Sequence, residues 1–229
     1  MHEDSGIPFE SQMEPLEWAK FIIRTKSEKN YNTAFSVFSA SANRGSSDAE
    51  FYIGLMYSRG QGVRKDLPAA KHWFERASAS GNLGAMYFLG KMHSKGYGAE
   101  RDIHKAITYL DMPAQMGDPR AQYELGLIYF DGFGIEKDIH SAVKWFTAAA
   151  ESGHSEAQFV LGQLYKTGYG VGKSTEKALN WLTSAAMNGH KGSQILLGNM
   201  YDTGDGVPID KEEADRWYHM RDDEVISAL

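Results

Sequence analysis

Residues 119–154 read PRAQYELGLIYFDGFGIEKDIHSAVKWFTAAAESGH, and the same pattern of residue types returns when this stretch is moved by 36 residues in either direction. The pattern occurs in five units between about residue 47 and residue 220. A fixed period in the range of about 20–50 residues is typical of proteins built from stacked repeats. The positions that define the pattern in this unit are Ala121, Gly126, Tyr129, Gly132, Gly134, Asp138, Ala142, Trp145, Ala149 and Gly153.

Each unit predicts two helices joined by a glycine-rich loop. Apolar residues at helical spacing cover 121–129, the pair Gly132 and Gly134 interrupts them, and the helical spacing resumes at Ala142. We expect a left-handed glycine to end the first helix and Asp138 to cap the second. We interpret one aromatic series of the second helix as its core residues, namely Trp73, Tyr109, Trp145, Trp181 and Trp217.

The run A-x-Y-x-L-G-x-x-Y-x-x-G-x-G at residues 121–134 resembles the Sel-1-like repeat, the 36-residue relative of the tetratricopeptide repeat. The chain is similar to that family over about residues 47–220. The resemblance implies an all-α fold, a right-handed α-α superhelix (solenoid) of about six helix pairs. Because each repeat of a solenoid packs only on its neighbours, we expect a single domain.

The repeat phase predicts the organisation of the whole chain. We expect a flexible N-terminal arm at residues 1–13 and a degenerate helix pair at 14–46. Pro113 lies inside a predicted second helix, where it removes a hydrogen-bond donor, so we expect a kink or an early end there. The five repeats are expected at 47–82, 83–118, 119–154, 155–190 and 191–229, the last with a charged cap around 221–224.

Composition argues against several classes of protein. The formal net charge of −6 does not favour nucleic-acid binding, which relies on a basic surface. The chain has no cysteine, and no apolar run approaches the ~20 residues of a membrane span, so we expect no disulfide and no membrane insertion. The acidic start of the chain lacks the basic and apolar regions of a signal peptide. Two interpretations stay open: a cytoplasmic protein, or a periplasmic or exported one whose signal was replaced by Met1.

Motifs for catalysis and for cofactors are weak. The stretch GYGVGKST at 168–175 is similar to a phosphate-binding loop, but that motif needs a glycine at the position of Thr167 and a strand before it. Pairs of histidines such as His154 and His190 are one repeat apart, which is too far for shared metal coordination. We therefore predict no catalytic residue, no cofactor and no metal site.

The first helix of each repeat offers a candidate binding surface on the side opposite its packed face. Similarity to tetratricopeptide solenoids implies that this side lines the concave surface, and apolar residues among charged ones are typical of protein-binding surfaces. The alternative is that these residues pack inside the superhelix. The candidates are Tyr52, Leu55, Arg59, Phe88, Lys91, Lys95, Arg120, Glu124, Leu127, Phe130, Asp131 and Gln163.

The loops offer a second, weaker candidate, a rim of aromatic residues that each stand between two loop glycines: Tyr97, Phe133 and Tyr169. They could equally cover the ends of neighbouring helices.

The sequence thus favours a non-catalytic scaffold or adaptor that binds a protein or peptide, with a monomer favoured and the oligomeric state open. The family resemblance implies roles in bacterial secretion, in envelope signalling or in immunity to a secreted toxin. It also implies an alternative, a hydrolytic or β-lactam-binding enzyme, as attributed to some members of the family.

Overall fold

The computed structural model describes the backbone of residues 14–226 and the side chains of residues 14–220. Over this part of the chain it contains twelve α-helices, a short 3₁₀ turn at Glu28–Asn30 and no strand, as the all-α prediction requires. The predicted arm at 1–13 and the side chains of the charged run 221–224 lie outside the described residues. The helices are α1 (Pro15–Arg24), α2 (Tyr31–Ala42), α3 (Ser47–Arg59), α4 (Leu67–Ala79), α5 (Leu83–Lys95), α6 (Ile103–Gln115), α7 (Pro119–Asp131), α8 (Ile139–Glu151), α9 (Ser155–Thr167), α10 (Thr175–Met187), α11 (Lys191–Thr203) and α12 (Lys211–Ile226).

The helices form two compact units, one up to Tyr109 and one from Leu110. In the first unit, α1 packs on α2, α2 on α3, α3 on α4 and α4 on α5. In the second, every helix from α7 to α12 packs on the next one along the chain. Consecutive packing of this kind is the pattern that the repeat period predicts.

The predicted helix ends are confirmed. Glycine in the left-handed conformation follows the first helix of every repeat, where its backbone N–H reaches a carbonyl in the last turn: Gly60, Gly96, Gly132, Gly168 and Gly204. A side-chain oxygen accepts a backbone N–H at the start of every second helix: Asp66, Asp102, Asp138, Ser174 and Asp210. Ser174 replaces the repeat's aspartate and still caps its helix.

The assignment of the tryptophan series to the core needs correction. Trp73, Tyr109, Trp145 and Trp181 are only half-buried, and the residue after each of these four is fully buried. In the last repeat the prediction is confirmed: Trp217 is buried, and Tyr218 after it is exposed. A glycine on the facing helix makes room for the buried ring: a Cβ atom placed on Gly126 would lie 2.6 Å from the ring of Phe146. The fully buried residues are Phe74, Leu110, Phe146 and Leu182.

The expectation that Pro113 ends its helix early is wrong. Helix α6 continues to Gln115, the repeat position at which α4 and α8 also end. The carbonyls around the proline are satisfied: the Asp118 N–H donates to the Pro113 carbonyl at 2.9 Å, and Gln122 Nε2 donates to the Ala114 carbonyl at 3.0 Å. Pro113 removes a single donor, the N–H that would reach the Tyr109 carbonyl, and it lies two residues from the end of the helix, so the helix continues past it.

Candidate functional site

Each unit contains a cleft that is bordered by a loop tyrosine. Cleft I, in the first unit, is lined by Ser58, Leu67, Phe74, Phe88, Lys91, Met92 and Tyr97 and has a volume of about 170 Å³. Cleft II, in the second unit, is lined by Phe130, Gln163, Leu164, Lys166, Thr167, Tyr169 and Leu196 and has a volume of about 510 Å³.

The two clefts occupy equivalent places in the repeat. Four residues of cleft II lie two repeat lengths, or 72 residues, after four residues of cleft I: Ser58 and Phe130, Lys91 and Gln163, Met92 and Leu164, Tyr97 and Tyr169. The geometry of the repeat therefore generates a cleft at this place, and the side chains that vary there decide what each cleft can hold.

The floor of cleft I is rigid and apolar. Phe74 is fully buried, and the ring of Phe88 stacks on it with centroids 5.2 Å apart. Met92 is buried beside them. Tyr97 forms the outer wall and keeps 64% of its surface exposed. Such an open apolar wall over a fixed floor can receive a side chain from another molecule.

Cleft I is bordered by cations. Lys91 lines it and lies with its ammonium 5.9 Å from the ring centre of Tyr87, while Lys95 follows one turn later on α5 and is exposed. Arg59, next to the lining residue Ser58, is also exposed. Helix α5 contains no acidic residue. Basic side chains therefore border this cleft.

Cleft II is held together by a cation between two rings. The Lys137 ammonium lies 5.0 Å from the ring centre of Phe130 and 5.4 Å from that of Tyr169. The two rings meet edge to face at 5.9 Å. Attraction between an ammonium and an aromatic face orders Tyr169, which belongs to the next repeat. This bridge was not foreseen from the sequence, because it depends on the offset between successive loops.

A surface ion pair borders cleft II on the other side. Lys166 lies 2.7 Å from the carboxylate of Asp205, and this ammonium holds the pKa of Asp205 below its ordinary value. Asp131, next to Phe130, is exposed. Both basic and acidic side chains therefore border cleft II.

The structure brings some of the predicted binding residues together and separates others. Phe88, Lys91 and Tyr97 meet in cleft I, and Phe130, Gln163 and Tyr169 meet in cleft II. The remaining candidates line neither cleft: Tyr52, Leu55, Arg59, Lys95, Arg120, Glu124, Leu127, Asp131 and Phe133.

Several of these remaining candidates have partners within their own unit. Leu55 and Glu124 are buried. The ring of Tyr52 stacks on that of Phe38 with centroids 5.0 Å apart. Arg120 pairs with the Asp118 carboxylate at 2.6 Å, and this guanidinium helps to hold the pKa of Asp118 low against the opposing effect of burial.

The loop aromatics are the most exposed of the predicted residues that carry a ring. Phe133 is 62% exposed and Tyr169 is 47% exposed, beside the 64% of Tyr97. Exposed apolar rings of this size are available for contact with another molecule.

Two histidines have a structural role that the sequence did not reveal. His190 Nδ1 accepts the Ser193 N–H at 3.0 Å, and His154 Nδ1 accepts the Ala157 N–H at 3.4 Å. Both are therefore N-caps, at the repeat position where Asn82 caps α5. The sequence could have indicated this role, because both histidines stand at the repeat position of Asn82 and asparagine is a common capping residue.

The described residues contain little that suggests catalysis. The hydroxyl of Ser193 lies 3.0 Å from His190 Nδ1, but Ser193 is fully buried and out of reach of a substrate. The loop at 168–175 follows helix α9 and not a strand, so it lacks the context of a phosphate-binding loop. Over residues 14–220 no group of three or more His, Asp or Glu side chains is placed to hold a metal.

Comparison with protein families decides the classification. The Sel1 repeat model matches residues 47–82, 84–118, 119–154, 155–190 and 192–220. The chain belongs to the Sel1 repeat family. Together with the consecutive packing of its helix pairs, the match makes the fold class an all-α solenoid of Sel1 repeats. A search of the curated proteins found no match.

Solved structures agree with this classification. A Sel1 repeat protein from Oxalobacter formigenes is 31% identical, with a TM-score of 0.79, and the alignment covers 90% of this chain and 93% of that one. A protective antigen of uropathogenic Escherichia coli strains, which displays an SLR fold, is 34% identical, with a TM-score of 0.76. That alignment covers 81% of this chain and 40% of the antigen, so this chain spans less than half of the antigen's length.

A more distant neighbour is an immunity protein from Pseudomonas aeruginosa. It is 20% identical, with a TM-score of 0.59, over 91% of this chain and 83% of that one. At this identity the likeness shows the fold alone. Separately, none of the helices described here is both long enough and apolar enough to cross a bilayer.

Proposed function

We propose that this Sel1 repeat protein is a non-catalytic scaffold that binds another protein or peptide, and that clefts I and II with their loop tyrosines are the contact surfaces. The observation that carries the proposal is the recurrence of an apolar cleft walled by an exposed tyrosine at equivalent positions, Tyr97 and Tyr169.

The exposed tyrosine rings are well suited to contact another protein. Tyrosine presents a large apolar face and a polar end, and few rotatable bonds have to be ordered when it binds, so it is enriched in the residues that dominate binding energies. Tyr97 and Tyr169 stand beside floors that are already ordered by packing. A partner can bury both the tyrosine and the cleft without a rearrangement of the helices.

The comparisons support this proposal at the level of the fold. Immunity proteins from Pseudomonas aeruginosa share the fold at 19% and 20% identity. Immunity to a toxin, secretion and envelope signalling are all settings in which a scaffold of this kind would act. In this proposal the scaffold neither inserts into a membrane nor binds nucleic acid, and a monomer is the favoured state.

Affinity capture tests the proposal. The wild-type chain and a Tyr97→Ser, Tyr169→Ser double variant are used as baits in lysate of the source organism. The control bait carries Met116→Ser and Met187→Ser, which replace apolar residues that are 71% and 63% exposed and line neither cleft. A partner held by the wild type and the control, and reduced about tenfold or more by the tyrosine variant, supports the proposal. Equal capture by all three baits overturns it.

A further inference from the structure

We propose that the first unit carries a further contact surface, a basic edge that binds an acidic segment of the partner protein. The basic edge is formed by exposed side chains from residues 24–29 and 59–65, namely Arg24, Lys26, Lys29, Arg59, Arg64 and Lys65. This inference rests on the proposed function, because it names the chemistry of the same partner at a surface outside clefts I and II.

Charge is distributed unevenly along the chain. Residues 14–109 contain 14 Lys or Arg and nine Asp or Glu, which is a formal net charge of +5. Residues 110–229 contain ten Lys or Arg and 18 Asp or Glu, a net charge of −8, and residues 1–13 add −3. An acidic protein therefore contains a basic part, and local charge decides which segments of another molecule a surface attracts.

The two stretches of the basic edge meet at Tyr31, the first residue of α2. Gln61 Nε2 donates a hydrogen bond of 3.0 Å to the Tyr31 hydroxyl. A Cβ atom placed on Gly62 would lie 2.8 Å from Tyr31 Cβ, so the loop after α3 lies directly on the start of α2. Residues 24–29 come just before this point, at the end of α1 and in the turn that follows. The cations of both stretches therefore belong to one edge of the first unit.

The chain itself compensates this charge only in part. Among residues 14–220, none of the six cations pairs with a carboxylate. The acids in or beside the two stretches are Glu28 and Asp66, and Asp66 already accepts the Ala69 N–H as the cap of α4. Four further acids of the first unit pair with other cations: Glu17 and Asp48 with Lys20, Glu50 with Arg76, and Glu75 with Lys71. Two acids beside six cations leave an excess of positive charge.

The repeat does not account for all of this charge. A cation equivalent to Lys65 recurs as Arg101, Lys137 and Lys173, so the repeat explains that position alone. At the positions equivalent to Arg59 and Arg64, two repeats later, the chain has two acids, Asp131 and Glu136. The loop that follows α5 is balanced, with two basic and two acidic residues: Lys95, Glu100, Arg101 and Asp102. The positive excess is therefore a property of this edge.

An apolar groove borders the basic edge. It has a volume of about 740 Å³, and apolar residues line it beside Arg64, Lys65 and Asp66: Tyr57, Val63, Leu67 and Pro68. The ring of Tyr57 meets that of Phe35 edge to face at 5.8 Å, and Val63 packs on the core. Leu67 also lines cleft I, so the groove adjoins a surface that already belongs to the proposed function.

A short acidic segment of a protein fits these features better than a nucleic acid does. A nucleic acid carries a negative charge at every nucleotide, whereas the rest of this chain, residues 1–13 and 110–229, has a net negative charge. A protein segment can be acidic over a few residues and apolar at one. Its carboxylates would lie on the basic edge and its apolar side chain in the groove, which combines selectivity by charge with burial of apolar surface.

A peptide titration of the full chain tests the inference. The probe is a 12-residue peptide in which one leucine stands among Asp and Glu residues. The comparison ligands are the same peptide with alanine in place of leucine, a peptide with Lys and Arg in place of the acids, and a single-stranded DNA of 12 nucleotides. Binding is followed by fluorescence anisotropy and by the methyl resonances of Val63 and Leu67, with Leu179 of the second unit as reference.

The acidic leucine peptide should shift the Val63 and Leu67 resonances and leave Leu179 unchanged. Its affinity should exceed that of each comparison ligand about fivefold or more, and it should fall as the salt concentration rises. Equal binding of the acidic and basic peptides, tighter binding of the DNA, or no shift of Val63 and Leu67 overturns the inference.

Two matched variants separate the basic edge from net charge. Arg64→Gln, Lys65→Gln should weaken binding of the acidic leucine peptide about fivefold. Lys144→Gln, Lys191→Gln removes two exposed cations of the second unit and should leave binding unchanged. All four side chains are exposed, so both variants should fold as the wild type does. Equal weakening by the two variants overturns the inference.

The chain's own residues 1–13, which lie outside the described residues, are the competing occupant. They contain Glu3, Asp4 and Glu10 and no Lys or Arg. In a Glu3→Gln, Asp4→Asn, Glu10→Gln variant, the affinity for the acidic leucine peptide should stay within about twofold of the wild type. A larger rise would mean that residues 1–13 cover the basic edge, and it would overturn the assignment to a partner.

Failure here is distinguishable from failure of the proposed function. If the capture experiment still depends on Tyr97 and Tyr169 while the acidic leucine peptide does not bind, the scaffold stands and the basic edge is wrong. If capture is also independent of the tyrosines, the proposed function is overturned as well.

Discussion

Asn188 Nδ2 donates a hydrogen bond of 3.0 Å to Oε1 of Gln158, and Gln158 Nε2 in turn donates to the Ala150 carbonyl at 3.0 Å. One repeat earlier, Gln122 makes the same bond to the Ala114 carbonyl, but Ser152 stands where Asn188 would be. The Oε1 atom of Gln122 is buried and has no partner among the described residues.

Replacing Ser152 with asparagine should stabilise the protein. Ser152 has φ −83° and ψ 9°, and Asn188 has φ −82° and ψ 15°, so the new amide can reach Gln122 as Asn188 reaches Gln158. We expect a gain of about 1 kcal/mol, or roughly 2–4 °C in the thermal midpoint, measured by calorimetry or urea unfolding. In a Gln122→Met background the gain should disappear, and an equal gain there would contradict the explanation.

The two histidine caps should make stability depend on pH. Burial lowers the pKa of His154 and of His190 below the ordinary value, and an imidazolium cannot accept the capping N–H. The folded protein thus binds fewer protons than the unfolded chain as the pH falls below about 6.5. Stability from the caps is complete above that pH and is lost as the pH falls from there through the lower pKa of the folded state.

The charged groups around His154 do not change this direction. Burial is the largest cause of the lowered pKa, the nearby carboxylates of Glu156, Glu124 and Asp118 oppose it, and Arg120 supports it. For His190, burial is again the largest cause and Glu156 opposes it.

Urea unfolding at pH 7.5 and pH 5.5 checks the histidine caps. A His154→Asn, His190→Asn variant, which copies the cap Asn82, should lose less stability between these pH values than the wild type. The difference should be on the order of 1 kcal/mol for each cap. Equal losses of stability in the variant and in the wild type would show that the caps do not titrate in this pH range.

Gly126 should not tolerate a methyl group. In an exposed helix, Gly→Ala stabilises by about 1 kcal/mol, but here the new Cβ would lie 2.6 Å from the Phe146 ring. We expect Gly126→Ala to lower the free energy of unfolding by about 1–3 kcal/mol. In a Phe146→Ala background the same change should be neutral or stabilising. A cost that is equal in both backgrounds would mean that the contact with the ring is not the cause.

Phe88 should behave as a core residue and Tyr97 as a surface residue. Because Phe88 stacks on the fully buried Phe74, Phe88→Asp places a charge against the core, and we expect a loss of about 3 kcal/mol or more. Tyr97→Ser should change stability by less than about 0.5 kcal/mol, because the side chain is 64% exposed. Thermal unfolding of the two variants checks this, and similar losses for both would contradict the placement of Tyr97.

Features that depend on a single repeat could be predicted from the sequence. The left-handed glycines such as Gly132 and the caps such as Asp138 follow from local backbone chemistry, and the 36-residue period gives the order of helix packing. The loop aromatics Tyr97 and Tyr169 were identified because each stands between the two glycines of its loop.

Features that depend on the facing helix could not be predicted. Trp145 and Phe146 follow one another in α8, and which of the two is fully buried depends on the helices that pack on α8, where Gly126 leaves room for the Phe146 ring. Phe88 lies on the side of α5 that appeared free, yet the preceding repeat supplies Phe74 beneath it. The contact of Lys137 with Tyr169 likewise could not be predicted, because it depends on how far apart two successive loops lie.

The most direct test of the central claim is photo-cross-linking from individual positions. Benzoylphenylalanine replaces Tyr97 or Tyr169 in one set of proteins, and Met116 or Met187 in the control set, and each protein is irradiated in cells of the source organism. The account predicts cross-links from positions 97 and 169 to a partner protein and none to that partner from the two methionine positions. Cross-links from the methionine positions alone, or equal yields from all four, would contradict it.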